Sequence, residues 1–168
     1  MKKALLVILA IILFIMPCTT WAYSIVKSIQ FTANCGDYLK MAADANSIEI
    51  AEERLSTAIT YLENNNLTSG YTKIFVYYPS NDIGMWYENL KSAQTQLQEL
   101  QKTDYTELEQ SNMLMKLRET ILDEGGLLTH PTGISMAANY ALMFWLNVTL
   151  WLPCWIFGVV LIWAAEEY

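Results

Sequence analysis

Residues 82–101 read DIGMWYENLKSAQTQLQELQ, and their spacing decides the class of fold. Ile83, Trp86, Leu90, Ala93, Leu97 and Leu100 recur at alternating intervals of three and four. That is the period of one face of an α-helix, with an apolar stripe meant for a core. Gln94, Gln96, Gln98 and Gln101 take the other faces, with Glu99 and Lys102. The preceding Pro79-Ser80-Asn81-Asp82 supplies the start: small polar residues cap orphan backbone N–H groups, and Asp82 suits the positive end of the helix dipole. The helix is expected to end near Thr103.

A further helix follows at once. Thr106-x-x-Glu109 is a capping-box pattern. Leu108, Met115 and Leu122 repeat at seven, Leu114, Leu117 and Ile121 lie alongside, and Gly125-Gly126 stops the run. The short link makes these two helices antiparallel neighbours. Upstream, Tyr38, Met41, Ala45, Ile48, Glu52, Leu55, Ile59 and Leu62 continue the three-four spacing, broken only by Glu52. One helix is expected over residues 37–63, ended by Asn64-Asn65-Asn66 and Gly70. Isolated helices of this length are marginal, so the stripes must be buried together. The reading is all-α: a three-helix bundle or bent antiparallel coiled-coil hairpin over residues 37–126.

Residues 71–78, YTKIFVYY, depart from the helical period. β-branched and aromatic residues between Gly70 and Pro79 indicate extended chain. We expect a long loop over 71–79 that packs Phe75 and Tyr77 on the bundle; edge pairing with a second copy or a partner peptide is the alternative. Phe75, Tyr77, Tyr78, Trp86 and Tyr87 form an aromatic group suited either to a pocket or to the cap of a small core. The core reading is favoured, because small bundles need large apolar residues.

The chain ends differ from this middle. No charged residue occurs over residues 125–165, and residues 140–164 read YALMFWLNVTLWLPCWIFGVVLIWA. About 20 apolar residues at about 1.5 Å each cover a hydrocarbon core, so a C-terminal transmembrane helix is expected over 138–165. Trp145 and Trp163 stand about 27 Å apart on a helix, near the spacing of two interfaces. Trp151 and Trp155 fall mid-span on one face, Pro153 should kink the helix, and Asn147 is expected to face another helix. Asn147, Trp151 and Trp155 therefore join Phe75, Tyr77 and Trp86 as candidate interaction residues. At the other end, Met1-Lys2-Lys3, an apolar run over 4–16 and Thr20-x-Ala22 have the parts of a signal peptide. Pro17 would end its helix. The apolar character continues to Val26, so an uncleaved signal-anchor stays open beside cleavage after residue 22. Pro17 also opposes a lipoprotein reading at Cys18.

These features predict a linker at 23–36, an extracytoplasmic domain, a juxtamembrane loop at 127–137 and a cytoplasmic tail at 166–168. The expected localisation is integral membrane. Asn66-Leu67-Thr68 matches a glycosylation acceptor that this topology would expose.

The chain has 168 residues and a net charge of −7, with Lys and Arg 10 against Asp and Glu 17. Lys2 and Lys3 balance Glu166 and Glu167, so the whole deficit lies in the middle. Such acidity opposes phosphate backbones and excludes nucleic-acid binding. Of the three cysteines only Cys35 lies in the middle, so no disulfide closes within it; it is buried or pairs between chains. The single histidine, His130, precedes Pro131 and builds no metal site. Glu49, Glu52 and Glu53 are read as solvated helix surface. Ser80 and Ser111 lack a base pattern, and there is no phosphate-binding glycine loop. No catalytic, cofactor or metal site is expected. The function expected is a non-enzymatic membrane-anchored interaction or scaffold module, with the bilayer and a protein partner or self-association through its helices. The alternative is a ligand-binding or sensory subunit of a larger membrane complex.

Overall fold

A computed structural model describes the backbone of residues 2–75 and 77–167, and part of the side chains within the two terminal helices. Met1, Val76 and Tyr168 lie outside the described residues, as do the side chains of Lys2, Lys3, Pro17, Pro153, Ile162, Glu166 and Glu167. The expectations placed on those side chains, the Pro153 kink among them, therefore fall outside the description. Among the described residues all regular structure is helical and there is no strand.

The chain divides into two compact units, one of Met1–Lys27 with Asn139–Tyr168 and one of Ser28–Ala138. The second is a helical bundle. Its helices are α2 (Asp37–Ala43), α3 (Ile48–Asn64), α4 (Ile83–Gln101) and α5 (Glu107–Ile121). Helix α1 (Lys2–Phe31) runs on through a π-helical turn at Thr32–Gly36 into α2, with Phe31, Gly36 and Asp37 all in right-handed helical conformation. The segment read as a linker, 23–36, is thus helical, and α1 passes Pro17 and Thr20-x-Ala22 without a break.

The helix expected over 37–63 is two. The chain leaves α2 at Asp44, and Ser47 adopts extended conformation with its hydroxyl accepting from Ile50 N at 3.3 Å. Asp44-Ala45-Asn46-Ser47 is a capping sequence, and it overrides the apolar period that runs across it. The break also shifts the phase of α2. Leu39, Ala42 and Ala43 are buried there, while Met41 is exposed and Tyr38 is half-buried. Beyond the break Ile48, Ala51, Leu55, Ala58, Ile59 and Leu62 form the buried face of α3. Asn66 ends α3 at φ 55°: its N–H donates to Glu63 O at 3.2 Å and Leu67 N–H to Leu62 O at 2.8 Å. This is a Schellman cap with Asn in the left-handed position and Leu67 packed back into the core.

Helix α4 buries Ile83, Trp86, Leu90, Ala93 and Leu97, with Leu100 partly covered. Asp82 caps it by accepting from Met85 N at 3.1 Å. It runs antiparallel to α3: Glu63 meets Tyr87 and Lys91, and Glu52 meets Gln98. Helix α5 starts with the complete capping box of Thr106 and Glu109. Its core face is Leu117 and Ile121, with Met113 and Leu114 beside them; of the seven-residue repeat Leu122, at the helix end, is buried, while Leu108 and Met115 point outward. Helix α5 closes on α2, where Arg118 pairs with Asp44 and Gln110 Nε2 donates to Asn46 O at 3.0 Å. After α5 the chain turns back through Gly126 at φ 75°, and Leu122 bridges Leu128.

In the other unit α1 packs with α6 (Tyr140–Glu167), which continues through position 153. Among the described residues, no helix is long and apolar enough to cross a membrane. A span needs about 20 consecutive apolar residues, and the described side chains of α1 and α6 do not make up such a run. This overturns the expected integral membrane localisation, with the bulk of the chain on one side of a bilayer and a cytoplasmic tail on the other, and the transmembrane helix at 138–165 on which it rested.

Candidate functional site

The loop over 71–78 is shaped by the two residues groups that close it. Gly70 takes φ 92°, and its carbonyl accepts from Ile83 N at 2.9 Å; Thr72 N donates to Asn81 O at 3.0 Å. These bonds form an antiparallel bridge between Tyr71 and Asp82. A 3-10 turn at Pro79–Asn81 completes the return. The loop is therefore pinned at its base to the first turn of α4.

Its aromatic side chains do not pack over the bundle as expected. Phe75 is 69% exposed, Tyr77 65% and Tyr78 61%. Tyr77 is held by its neighbours: its ring meets Tyr71 edge-on at 4.8 Å, and its hydroxyl donates to Ile74 O at 3.0 Å. The edge-to-face pair and this hydrogen bond lower the entropy that ordering a partner-facing tyrosine would otherwise cost. Met85, on the first turn of α4, is exposed as well.

Trp86 has the opposite placement. It is 9% exposed, and its indole N–H donates to Thr129 O at 2.8 Å. The turn after α5 delivers that carbonyl, with Thr129 N donating to Ile121 O at 2.8 Å. A buried indole needs such a partner, and Trp86 joins the core. The structure thus separates Trp86 from Phe75 and Tyr77. Tyr87 lies at the edge of the core and donates to Glu63 Oε1 at 2.7 Å.

Thr72, at the base of the loop, is fully buried, and its hydroxyl has no partner among the described residues. An unmade hydrogen bond of this kind costs about 1–3 kcal/mol.

The remaining candidates belong to the other unit. Asn147 Oδ1 accepts from Thr20 Oγ1 of α1 at 2.9 Å, so it does meet another helix, one of the same chain. Cys154 and Gly158 are buried at seven and eleven positions beyond it, on the same face of α6. Trp151 and Trp155 are exposed. The polar contact to Thr20 was hidden from the sequence, because nothing in either helix marks its partner 127 residues away.

Several groups are accounted for structurally. Cys35 is wholly buried within the π turn, and burial pushes its thiol up to about 12, so it is neither nucleophilic nor open to bridging between folded chains. Glu49 accepts from Tyr105 at 2.9 Å and Glu52 from Gln98 at 2.8 Å. Backbone and side-chain hydrogen bonds hold Glu49 below the ordinary carboxylate range. These acidic residues tie α3 to its neighbours. His130 stacks edge-on with Phe31 at 5.4 Å. Among the described residues no three His, Cys, Asp or Glu side chains are grouped to hold a metal ion.

Between α4 and α5 lie two recesses of about 450 and 500 Å³, which share Gln96, Met113 and Lys116. Comparison of the chain with protein-family models, with curated proteins and with solved structures finds no match.

Proposed function

We propose that the protein is a non-enzymatic interaction module whose acidic helical bundle presents the aromatic loop to a protein partner. One observation carries this reading: three consecutive-region aromatics, Phe75, Tyr77 and Tyr78, stand outward on a loop pinned at both ends. Single exposed apolar residues are ordinary, but clustered large ones mark docking surfaces. Aromatic side chains give the most contact area for the least lost freedom, which is why they anchor interfaces.

The bundle serves as the rigid mount. Burial of Trp86, Ile83 and Leu90 fixes the start of α4, and the Tyr71 bridge fixes the loop to that start. A photo-crosslinking amino acid at position 75, compared with one at the exposed Glu124, tests the reading in cells. Protein adducts are expected at position 75 and are lost when Tyr77 and Tyr78 are both changed to Ser. Equal capture from both positions, or none from position 75, overturns it.

A further inference from the structure

The two recesses between α4 and α5 form one groove, divided by a hydrogen bond from Lys116 Nζ to Gln96 Oε1 at 2.8 Å. Its floor is apolar at one end, where Leu100 and Met113 line it; at the other end Ala93 and Leu117 are buried and polar side chains, Asn89, Ser92, Glu119 and Thr120 among them, make up most of the lining. Its rims carry Glu99, Glu109 and Glu119, against Lys116 alone. Along α5 it runs from Glu109 to Thr120, which is about 16 Å, or three helical turns. Two antiparallel helices with a furrow between them, apolar at the Leu100–Met113 end, offer the ridges and grooves that a third helix packs into.

We propose that this groove seats an amphipathic helix of about three turns from a partner protein, apolar on the face that enters and basic along both flanks. Charge decides the occupant. The rim is acidic and the chain as a whole carries −7, so a second copy would bring like charge to like charge. A basic-flanked helix meets the opposite field on both sides. The Lys116–Gln96 bond crosses the path of such a helix, so Lys116 must move aside when the helix enters. This surface is separate from the aromatic loop, and neither reading depends on the other.

The test uses the full chain and a labelled synthetic helix of about 18 residues, with Leu at i, i+3, i+4 and i+7 and Lys on the flanks. A twin peptide carries Glu on the flanks. Fluorescence anisotropy should show the Lys-flanked peptide binding at least about tenfold tighter than its twin. The pair Glu99→Lys and Glu119→Lys should weaken it by about tenfold. Lys116→Ala should tighten it, since it removes both an obstacle and a like charge. Met113→Glu is decisive: it should weaken binding although it adds a negative charge, whereas attraction to acidic surface alone would strengthen it. Asn112→Trp, which fills the groove from its rim, repeats that test should Met113→Glu fail to fold by circular dichroism. Met115→Glu on the outer face of α5 and Phe75→Ser on the loop should leave affinity unchanged. Equal binding of the two peptides, tighter binding to Met113→Glu, or a loss with Met115→Glu or Phe75→Ser overturns the proposal.

Discussion

Phe75 and Trp86 are eleven residues apart, both large and aromatic, and the molecule uses them in opposite ways. Phe75 stands 69% exposed on a loop, while Trp86 is 9% exposed with its N–H satisfied. Residue type does not separate them; phase does. Trp86 belongs to a run with a single helical period, so its direction is fixed by the five other apolar residues that share its face. Phe75 sits where no period operates, and its direction is set by the turn at Gly70 and the bridge to Asp82. Large apolar groups placed by a period make a core. Those placed by a turn stand exposed in this loop.

The sharpest way to break this comparison is to truncate both rings. Trp86→Ala should lower stability by about 3–5 kcal/mol, since it opens a cavity and strands the Thr129 carbonyl. Phe75→Ala should change it by less than about 0.5 kcal/mol. Urea denaturation of both variants measures the difference. Similar losses would mean that the loop contributes to the core after all.

The same contrast recurs inside α5, with a somewhat smaller expected effect. Leu117 is fully buried and Leu108 is exposed. Leu117→Ala should cost about 2–5 kcal/mol, and Leu108→Ala less than about 0.5 kcal/mol. Equal shifts in the urea midpoint would restore the seven-residue stripe as the core face.

That contrast explains which parts of the fold could be read in advance. Helix α4 has one apolar face and no competitor, so its start, end and apolar core residues were legible, whereas the burial of Gln94 was not. Helix α5 carries two apolar faces, one through Leu108 and Met115 and one through Leu117 and Ile121. Packing of α5 against α2, α3 and α4 selects between them. The break at residues 44–47 was legible in principle, because Ser47 ahead of Ile48 and Ile50 is a cap. An apolar period continuing across it gave the opposite indication. In the aromatic loop the extended chain was legible, but the exposure of Phe75 and Tyr77 was not: period-free segments carry no signal of direction. The α4–α5 groove depends on how far two helices splay, which no local pattern encodes.

Thr72 refines the comparison at a smaller scale. It is the one fully buried residue among the described residues of the loop, and its hydroxyl is unpaired among them. Thr72→Val keeps the shape and removes the unpaired group, so it should raise stability by about 1 kcal/mol. A loss in thermal or urea stability would show that the hydroxyl has a partner in solution.

The smallest expected effect lies at the edge of the core, one residue from Trp86. Tyr87 donates to Glu63, which also accepts from Lys91 at 3.2 Å. Desolvation, followed by the bond to the Glu63 carboxylate, pushes the Tyr87 phenol up from its usual 10 to about 12. The same bond, with help from Lys91, draws Glu63 below the ordinary carboxylate range. A phenol raised on folding gives stability that is whole below pH 10 and is lost as pH rises through about 12, because the unfolded chain ionises first. A lowered carboxyl acts at the other end: its contribution is present above the ordinary carboxylate value and is lost as pH falls through the folded one. Tyr87→Phe removes the phenol and leaves Glu63 with Lys91 alone. Its melting temperature should therefore fall less steeply than that of the unaltered protein between pH 10 and 12, and less steeply on acidification below the ordinary carboxylate range. Tyr105 and Glu49 form a second such pair, which the substitution leaves in place, so the slopes should flatten without vanishing. Parallel curves for the two proteins across both windows would show that the Tyr87–Glu63 bond does not persist in solution, and that the apolar stripe of α4 and the Lys91–Glu63 pair hold this edge of the bundle without it.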